Sequence, residues 1–322
     1  MSEPTDINSD HKSFAHADEQ PTTARPVVEM PNPYASPRGS ITSKQLPAFD
    51  EEIINKYNRS GPRYTSYPTA LEFSPMPEGL ETKILQERES DAPLSLYFHI
   101  PFCRHLCYYC ACNKIITKKN SDAGDYLEYL MAEIKHKRSL LKTPADRKNP
   151  LVKQLHFGGG TPTFLQDNEL VQLWEFLQTQ FEFLPEDQGD YSIEIDPREL
   201  GDETLTVLRN LGFNRVSLGV QDLDEKVQIA VNRINSAELI ENVLAEARRL
   251  GFHSTNVDLI YGLPHQTPTT LDKTVRRVIE MSPDRLSVFN YAHLPERFKS
   301  QRQIKEEDLP TPAAKLTMLG NT

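Results

Sequence analysis

Three thiols stand four and three positions apart, Cys103-x-x-x-Cys107-x-x-Cys110, and a fourth, Cys112, follows two residues on. All 4 cysteines of the chain lie in this one stretch. A disulfide framework would spread its cysteines to staple distant segments, so this crowding points to a metal. Three thiolates can hold three irons of a cubane and leave the fourth open, whereas a structural cluster takes four cysteines. A zinc knuckle closes all its positions and more often uses paired CxxC units set well apart. An open iron can be chelated by the amino and carboxylate groups of a small molecule. Cys112 stays ambiguous: a fourth ligand, a reactive thiol or a packing residue.

Other chemistry-bearing residues sit where strands should end. Gly158-Gly159-Gly160-Thr161-Pro162-Thr163 lets the backbone approach a ligand's polar groups, or forms a tight turn. Glu194 can accept hydrogen bonds from ribose hydroxyls, as acids do in dinucleotide folds, or make a helix-facing ion pair. Asp196, before Pro197, suits the start of a turn. Gln221, Asp258 and the run Tyr291-Ala292-His293 repeat the pattern of polar groups at strand ends. Arg233 suits a carboxylate or is a solvated charge. His99, four residues before the first cysteine, reads equally as a satisfied core histidine.

The elements that must position these residues alternate strand and helix. Strands are predicted over 94–100, 152–157, 191–195, 215–220, 255–261 and 285–291. Helices are predicted over 121–142, 168–181 and 268–281, with one ending at Leu211-Gly212-Phe213 and one, capped by Ser236, ending at Leu250-Gly251-Phe252. In each Leu-Gly-Phe the glycine closes a helix in the left-handed region, and the phenylalanine packs back as the chain enters a strand. Six such strands predict an α/β fold, a partial (β/α)6 barrel over 91–300. In such barrels the loops after the strand C-termini build the active site.

The 322 residues, 38% hydrophobic and 25% charged, suit one large domain. A net charge of −10 argues against a nucleic-acid partner, which clustered Lys and Arg would serve. No apolar run approaches the roughly 18 residues of a membrane span. No secretory signal is visible, so a cytoplasmic location is expected. Residues 1–50, proline-rich with few aromatics, read as a disordered tail. Residues 51–90, with Gly61-Pro62-Arg63-Tyr64-Thr65-Ser66-Tyr67-Pro68, read as an ordered arm. Thr311-Pro312 starts a helix that stops at Thr322, so 301–322 reads as the start of a further domain cut short.

The cysteine spacing after a strand is the radical S-adenosylmethionine (SAM) signature. Beyond it, PRYTSYPTALEFS, LYFHIPFC, CYYCACNK, HFGGGTPT, IEIDPRE, GVQD, VNR, STNVDLIYGLP and DRLSVFNYAHLP resemble the oxygen-independent coproporphyrinogen III oxidase family from about residue 51 onward. That resemblance implies a radical-SAM barrel with a 4Fe–4S cluster on Cys103, Cys107 and Cys110, with Cys112 outside the ligand set. It implies decarboxylation of two propionates of coproporphyrinogen III to vinyls, giving protoporphyrinogen IX for heme synthesis, by a 5′-deoxyadenosyl radical that takes a propionate hydrogen.

Two SAM molecules are implied. Tyr97, Gly159 and Glu194 would contact the first. Tyr109, Gly160, Thr161, Gln221, Arg233, Asp258 and Ala292 would contact the second. A low-potential donor such as a flavodoxin or ferredoxin, a monomer, a substrate-enclosing role for the arm and a helical domain begun at 301–322 are implied too. Tyr109 and Ala111 stand where the family often has phenylalanine and glycine. For the substrate's carboxylates, Arg63, Arg104 and Lys114 are candidate partners or surface charges. The rival readings are a heme chaperone of the same superfamily, which usually lacks the arm and Cys112, and a zinc-stabilised interaction domain.

Overall fold

A computed structural model describes Asp50, Glu52, Ile53, Lys56 and residues 72–322. The expected tail (apart from Asp50) and the arm motif at 61–68, Arg63 included, lie outside the described residues.

The described chain begins with helix α1 (Leu80–Glu87), then strand β1 (Leu94–Ile100). The cysteine loop follows, bracketed by the two-residue strands β2 (Phe102–Cys103) and β3 (Ile115–Ile116), which pair with each other. Next come α2 (Ser121–Leu140), β4 (Leu151–Gly159), α3 (Asp167–Gln180), the short β5 (Glu182–Phe183) and β6 (Asp190–Ile195). The chain continues through α4 (Thr204–Asn210), β7 (Arg215–Gln221), α5 (Glu225–Ala230), α6 (Ala237–Arg249), β8 (Ser254–Tyr261), α7 (Pro268–Glu280) and β9 (Arg285–Asn290), and closes with α8 (Pro312–Asn321).

Six strands form one parallel sheet in the order β1-β4-β6-β7-β8-β9, with β5 attached to β4. Among the described residues β1 and β9 are its edges, so the barrel is open. The six predicted strands are all present. The second is longer than 152–157 because its pairing with β1 runs on through Gly158 and Gly159.

Both Leu-Gly-Phe endings close their helices as expected. Gly212 and Gly251 have φ of 100° and 80°. The Phe213 and Phe252 amides donate back to Leu208 and Ala247, at 3.1 and 3.0 Å. Each phenylalanine then turns into the core between sheet and helices, where a fully buried large apolar side chain contributes roughly 1.5–3 kcal/mol.

The strands alternate. On β6 and β7, Tyr191, Ile193, Ile195, Val216, Leu218 and Val220 are buried, while Ser192, Glu194, Ser217, Gly219 and Gln221 interleave with them on the other face. A parallel sheet covered by apolar layers on both faces reads as continuous hydrophobic runs. Period-two alternation instead leaves one face polar. That face is stitched by side-chain hydrogen bonds, including His156 to Ser192 at 2.6 Å and Asn256 to Ser217 and Asp258, both at 2.8 Å. Residues 301–322 pack onto the sheet unit: Gln301, Ile304, Leu316 and Met318 are buried. Among the described residues no helix is long and apolar enough to cross a membrane.

Candidate cluster and cofactor site

The cysteine loop lies against the C-terminal ends of the strands. Its base is joined to β4 through the main chain: the Gly160 amide donates to the Ile100 carbonyl and the Thr161 amide to that of Phe102, both at 2.8 Å. This approach requires glycine, because a Cβ on Gly160 would stand 2.6 Å from the Phe102 oxygen. Gly159, at φ 121°, sends its amide to Glu194 Oε2 at 3.2 Å. The Glu194 carboxylate thus faces the glycine run and His156 rather than an outer helix.

Cys103, Cys107 and Cys110 line one pocket together with Tyr109, Gly159, Gly160, Thr161, Glu194, Gln221, Arg233 and Asp258. Eleven of the thirteen residues expected at the cluster and the two SAM molecules therefore line this one pocket. Two stand apart from this lining. Tyr97 lies beside it: its ring stacks on His156, centroids 5.7 Å apart, and reaches toward Glu194 across Gly158. Ala292 is exposed just beyond β9, and Gln301 Nε2 reaches its carbonyl at 3.2 Å.

Donors converge on the sulfurs. Thr161 Oγ1 donates to Cys103 Sγ at 3.6 Å. Arg233 Nη1 and Arg198 Nη2 approach Cys107 Sγ at 3.6 and 3.9 Å. Burial pushes the Cys103 thiol up to about 11. A hydrogen bond from the Cys112 thiol draws Cys110 down to about 6 against its burial, aided by Lys114. Cys112 is exposed and held protonated in the same pairing. His99 bridges Tyr97 Oη and the Asn113 carbonyl at 2.9 and 2.8 Å, a structural tie between β1 and the loop.

The pocket's far wall is β7. Gln221 sits at a register shift with φ 72°, and its buried Oε1 has no partner among the described residues. An orphaned acceptor facing a pocket calls for a ligand donor. Arg233 is buried, not solvated, and reaches the Gly219 carbonyl and Asp196 Oδ2, the latter at 2.8 Å. Asp196 caps its turn by accepting from the Arg198 amide at 3.1 Å, and it is more than a cap because both arginines pair with it. Burial pushes Asp258 up, opposed by Asn256 and Ser217.

These residues fit an iron–sulfur cluster and a polar, carboxylate-bearing cofactor. Three soft thiolates share one wall, sulfur-directed donors surround them, and an arginine and an orphan amide oxygen line the wall beyond. Among the described residues no three His, Cys, Asp or Glu side chains close around a single ion, as a zinc site requires. A cubane presents a separate iron to each thiolate and makes no such demand.

Several functional contacts escaped the sequence reading. Glu199 holds Arg104 and His105, between the first two cysteines, at 2.8 and 3.0 Å. Asn232 Nδ2 donates to the Leu106 carbonyl at 2.8 Å. Buried Gln301 donates to the Tyr109 carbonyl, and Ser300 to that of Cys110. For Arg198 and Glu199 a signal existed, their place directly after a strand end. Gln301 had none.

The family model of the radical SAM superfamily matches residues 97–278. The oxygen-independent coproporphyrinogen III oxidase of Pseudomonas aeruginosa is 52% identical over 279 residues, covering 85% of this chain and 59% of that protein. The Escherichia coli protein of the same name is 51% identical over 276 residues, covering 85% and 58%. A solved structure of coproporphyrinogen III oxidase from Escherichia coli, described as a radical SAM enzyme, superposes with a TM-score of 0.77 at 48% identity, covering 85% of this chain and 59% of that one. The chain thus spans about three-fifths of the length of these relatives.

Proposed function

This chain belongs to the radical SAM superfamily, and from that premise we propose that it carries out the oxygen-independent decarboxylation of coproporphyrinogen III to protoporphyrinogen IX in heme biosynthesis. The observation that carries the reading is the convergence of three thiols, the glycine run, Glu194, Gln221, Arg233 and Asp258 on one pocket at the strand ends. The 52% identity to a curated oxidase supports the substrate.

In this reading Cys103, Cys107 and Cys110 hold a 4Fe–4S cluster. Tyr97, Gly159 and Glu194 face a first SAM. Tyr109, Gly160, Thr161, Gln221, Arg233, Asp258 and Ala292 face a second. When bound, the cluster and SAM supply a one-electron cleavage that delivers a hydrogen-abstracting radical. The chain's own residues bind and orient. Arg233, held by Asp196 and the Gly219 carbonyl, places a fixed positive charge near a carboxylate. Gln221 Oε1 accepts a hydrogen bond from an amino or hydroxyl group, and the Glu194 and Asp258 carboxylates accept from hydroxyls. Thr161, Arg198 and Arg233 donate to sulfur and keep the thiolates in place. The arm at 51–90 would help enclose substrate against the barrel of 91–300. The working protein would be a cytoplasmic monomer that takes electrons from a low-potential flavodoxin or ferredoxin and binds neither nucleic acid nor membrane.

Anaerobic reconstitution with iron and sulfide, followed by electron paramagnetic resonance with and without SAM, tests the cluster. Conversion of coproporphyrinogen III, read as protoporphyrin fluorescence after oxidation, tests the substrate. A 4Fe–4S signal that ignores SAM would refute the open iron.

A further inference from the structure

The turn after β6 gathers around Asp196 a net charge whose effect on the cluster the function above leaves open. Asp196, with its side chain 7% exposed, receives two guanidinium groups. Arg198 grips it with a fork, Nε to Oδ1 at 3.0 Å and Nη2 to Oδ2 at 2.7 Å. Arg233 Nη1 reaches Oδ2 at 2.8 Å. The same two arginines are those that approach Cys107 Sγ, from positions 91 and 126 residues further along the chain. One carboxylate and two guanidiniums sum to a net charge of +1, largely withdrawn from water. A buried net charge is costly unless a counter-charge lies beside it. Cys107, itself buried, is the anionic partner in reach when it ligates as a thiolate.

We propose that the Arg198–Asp196–Arg233 triad sets the reduction potential of the iron–sulfur cluster through Cys107, with Arg198 as its electrostatic positioning residue. This rests on the cluster reading above. A positive charge and N–H donors at a ligating sulfur stabilise the added electron and make reduction easier. Asp196 opposes that charge in part and fixes the distance at which both guanidiniums act. Arg233 also faces the cofactor pocket, where a carboxylate competes for it. Arg198 lies on the side of the turn that also carries Glu199, which clamps Arg104 and His105 of the cysteine loop. The triad therefore sits where it can couple the fold of the loop to the electronics of the site.

The test is a redox titration followed by electron paramagnetic resonance, on the full chain reconstituted without SAM so that no ligand engages Arg233. Arg198→Gln should shift the midpoint to more negative potential, and Arg198→Lys, which keeps the charge, should fall between it and the parent. Asp196→Asn should shift the midpoint the opposite way. Opposite signs at two adjacent groups are not produced by general loosening of the loop. Unchanged midpoints, or shifts of the same sign, would overturn the proposal. Should Arg198→Gln hold no iron, the Asp196→Asn shift decides alone: positive supports, null or negative overturns. A parent protein that assembles no cluster would overturn the cluster reading itself, and this proposal with it.

Discussion

The side-chain amide of Gln301 donates at 2.9 Å to the main-chain carbonyl of Tyr109, 192 residues earlier, and at 3.2 Å to that of Ala292. Its oxygen accepts from the Leu294 amide at 2.6 Å. One buried group thus ties the cysteine loop to the segment after β9. Gln301→Leu leaves two carbonyls and an amide unpaired, at a cost on the order of 1–3 kcal/mol. Denaturant unfolding should register that loss, and reconstituted iron should be stripped faster by a chelator. Gln301→Glu, which turns a buried carboxylate oxygen toward two carbonyl oxygens, should lose at least as much.

At Gly160 the prediction is steric. A methyl group there meets main-chain atoms of Pro101 and Phe102, which cannot rotate away as a side chain could. Gly160→Ala should cost about 1–3 kcal/mol of overpacking and lower the iron bound per chain. Gly124→Ala, whose nearest neighbour would be 3.9 Å away, is the control and should leave iron content unchanged.

Gln221 trades stability for binding. Its left-handed backbone costs roughly 1–2 kcal/mol in any residue but glycine, and its buried amide oxygen has no partner among the described residues. Gln221→Gly should therefore raise the melting temperature while weakening SAM, measured by calorimetric titration of the reconstituted protein. A fall in both would mean that Gln221 braces the strand end rather than the ligand.

Below that bulge Asp222 is 1% exposed and accepts from Thr274 Oγ1 at 2.7 Å, the Asp224 amide at 2.8 Å and Gln266 Nε2. Burial pushes its carboxyl up, against the pull of these hydrogen bonds. A raised folded-state value means the native state holds the proton more tightly than the unfolded chain. Its contribution is therefore greatest below the unfolded value and falls as pH rises through the folded one. Asp222→Asn should cost more stability near pH 4 than at pH 7 in urea titrations. A cost that grows with pH would reverse this assignment.

The cysteine spacing, the glycine run and the strand rhythm were legible because each is local. Leu94–Ile100 reads as a strand from seven consecutive residues, and Leu211-Gly212-Phe213 announces a helix end within three. Polar residues at strand ends marked most of the pocket wall for the same reason. What stayed hidden depends on separation. Gln301 acts on carbonyl groups, which every residue carries, so nothing in the amino-acid types points from it to Tyr109. Arg233 read as ambiguous because its burial comes from β7 and the cysteine loop, not from its neighbours Asn232 and Ile234. The left-handed turn at Gln221 goes against its residue type, and the bulge that imposes it exists only once β7 and β8 pair.

The loop that presents the thiols is moored to the sheet through the amides of Gly160 and Thr161 and the carbonyls of Ile100 and Phe102. Such an anchorage is indifferent to side-chain identity. Lineages could exchange the residues that flank the cysteines, and with them reach new substrates, without casting the loop adrift. The freedom has one toll: a position where evolution must keep a bare hydrogen in place of a side chain.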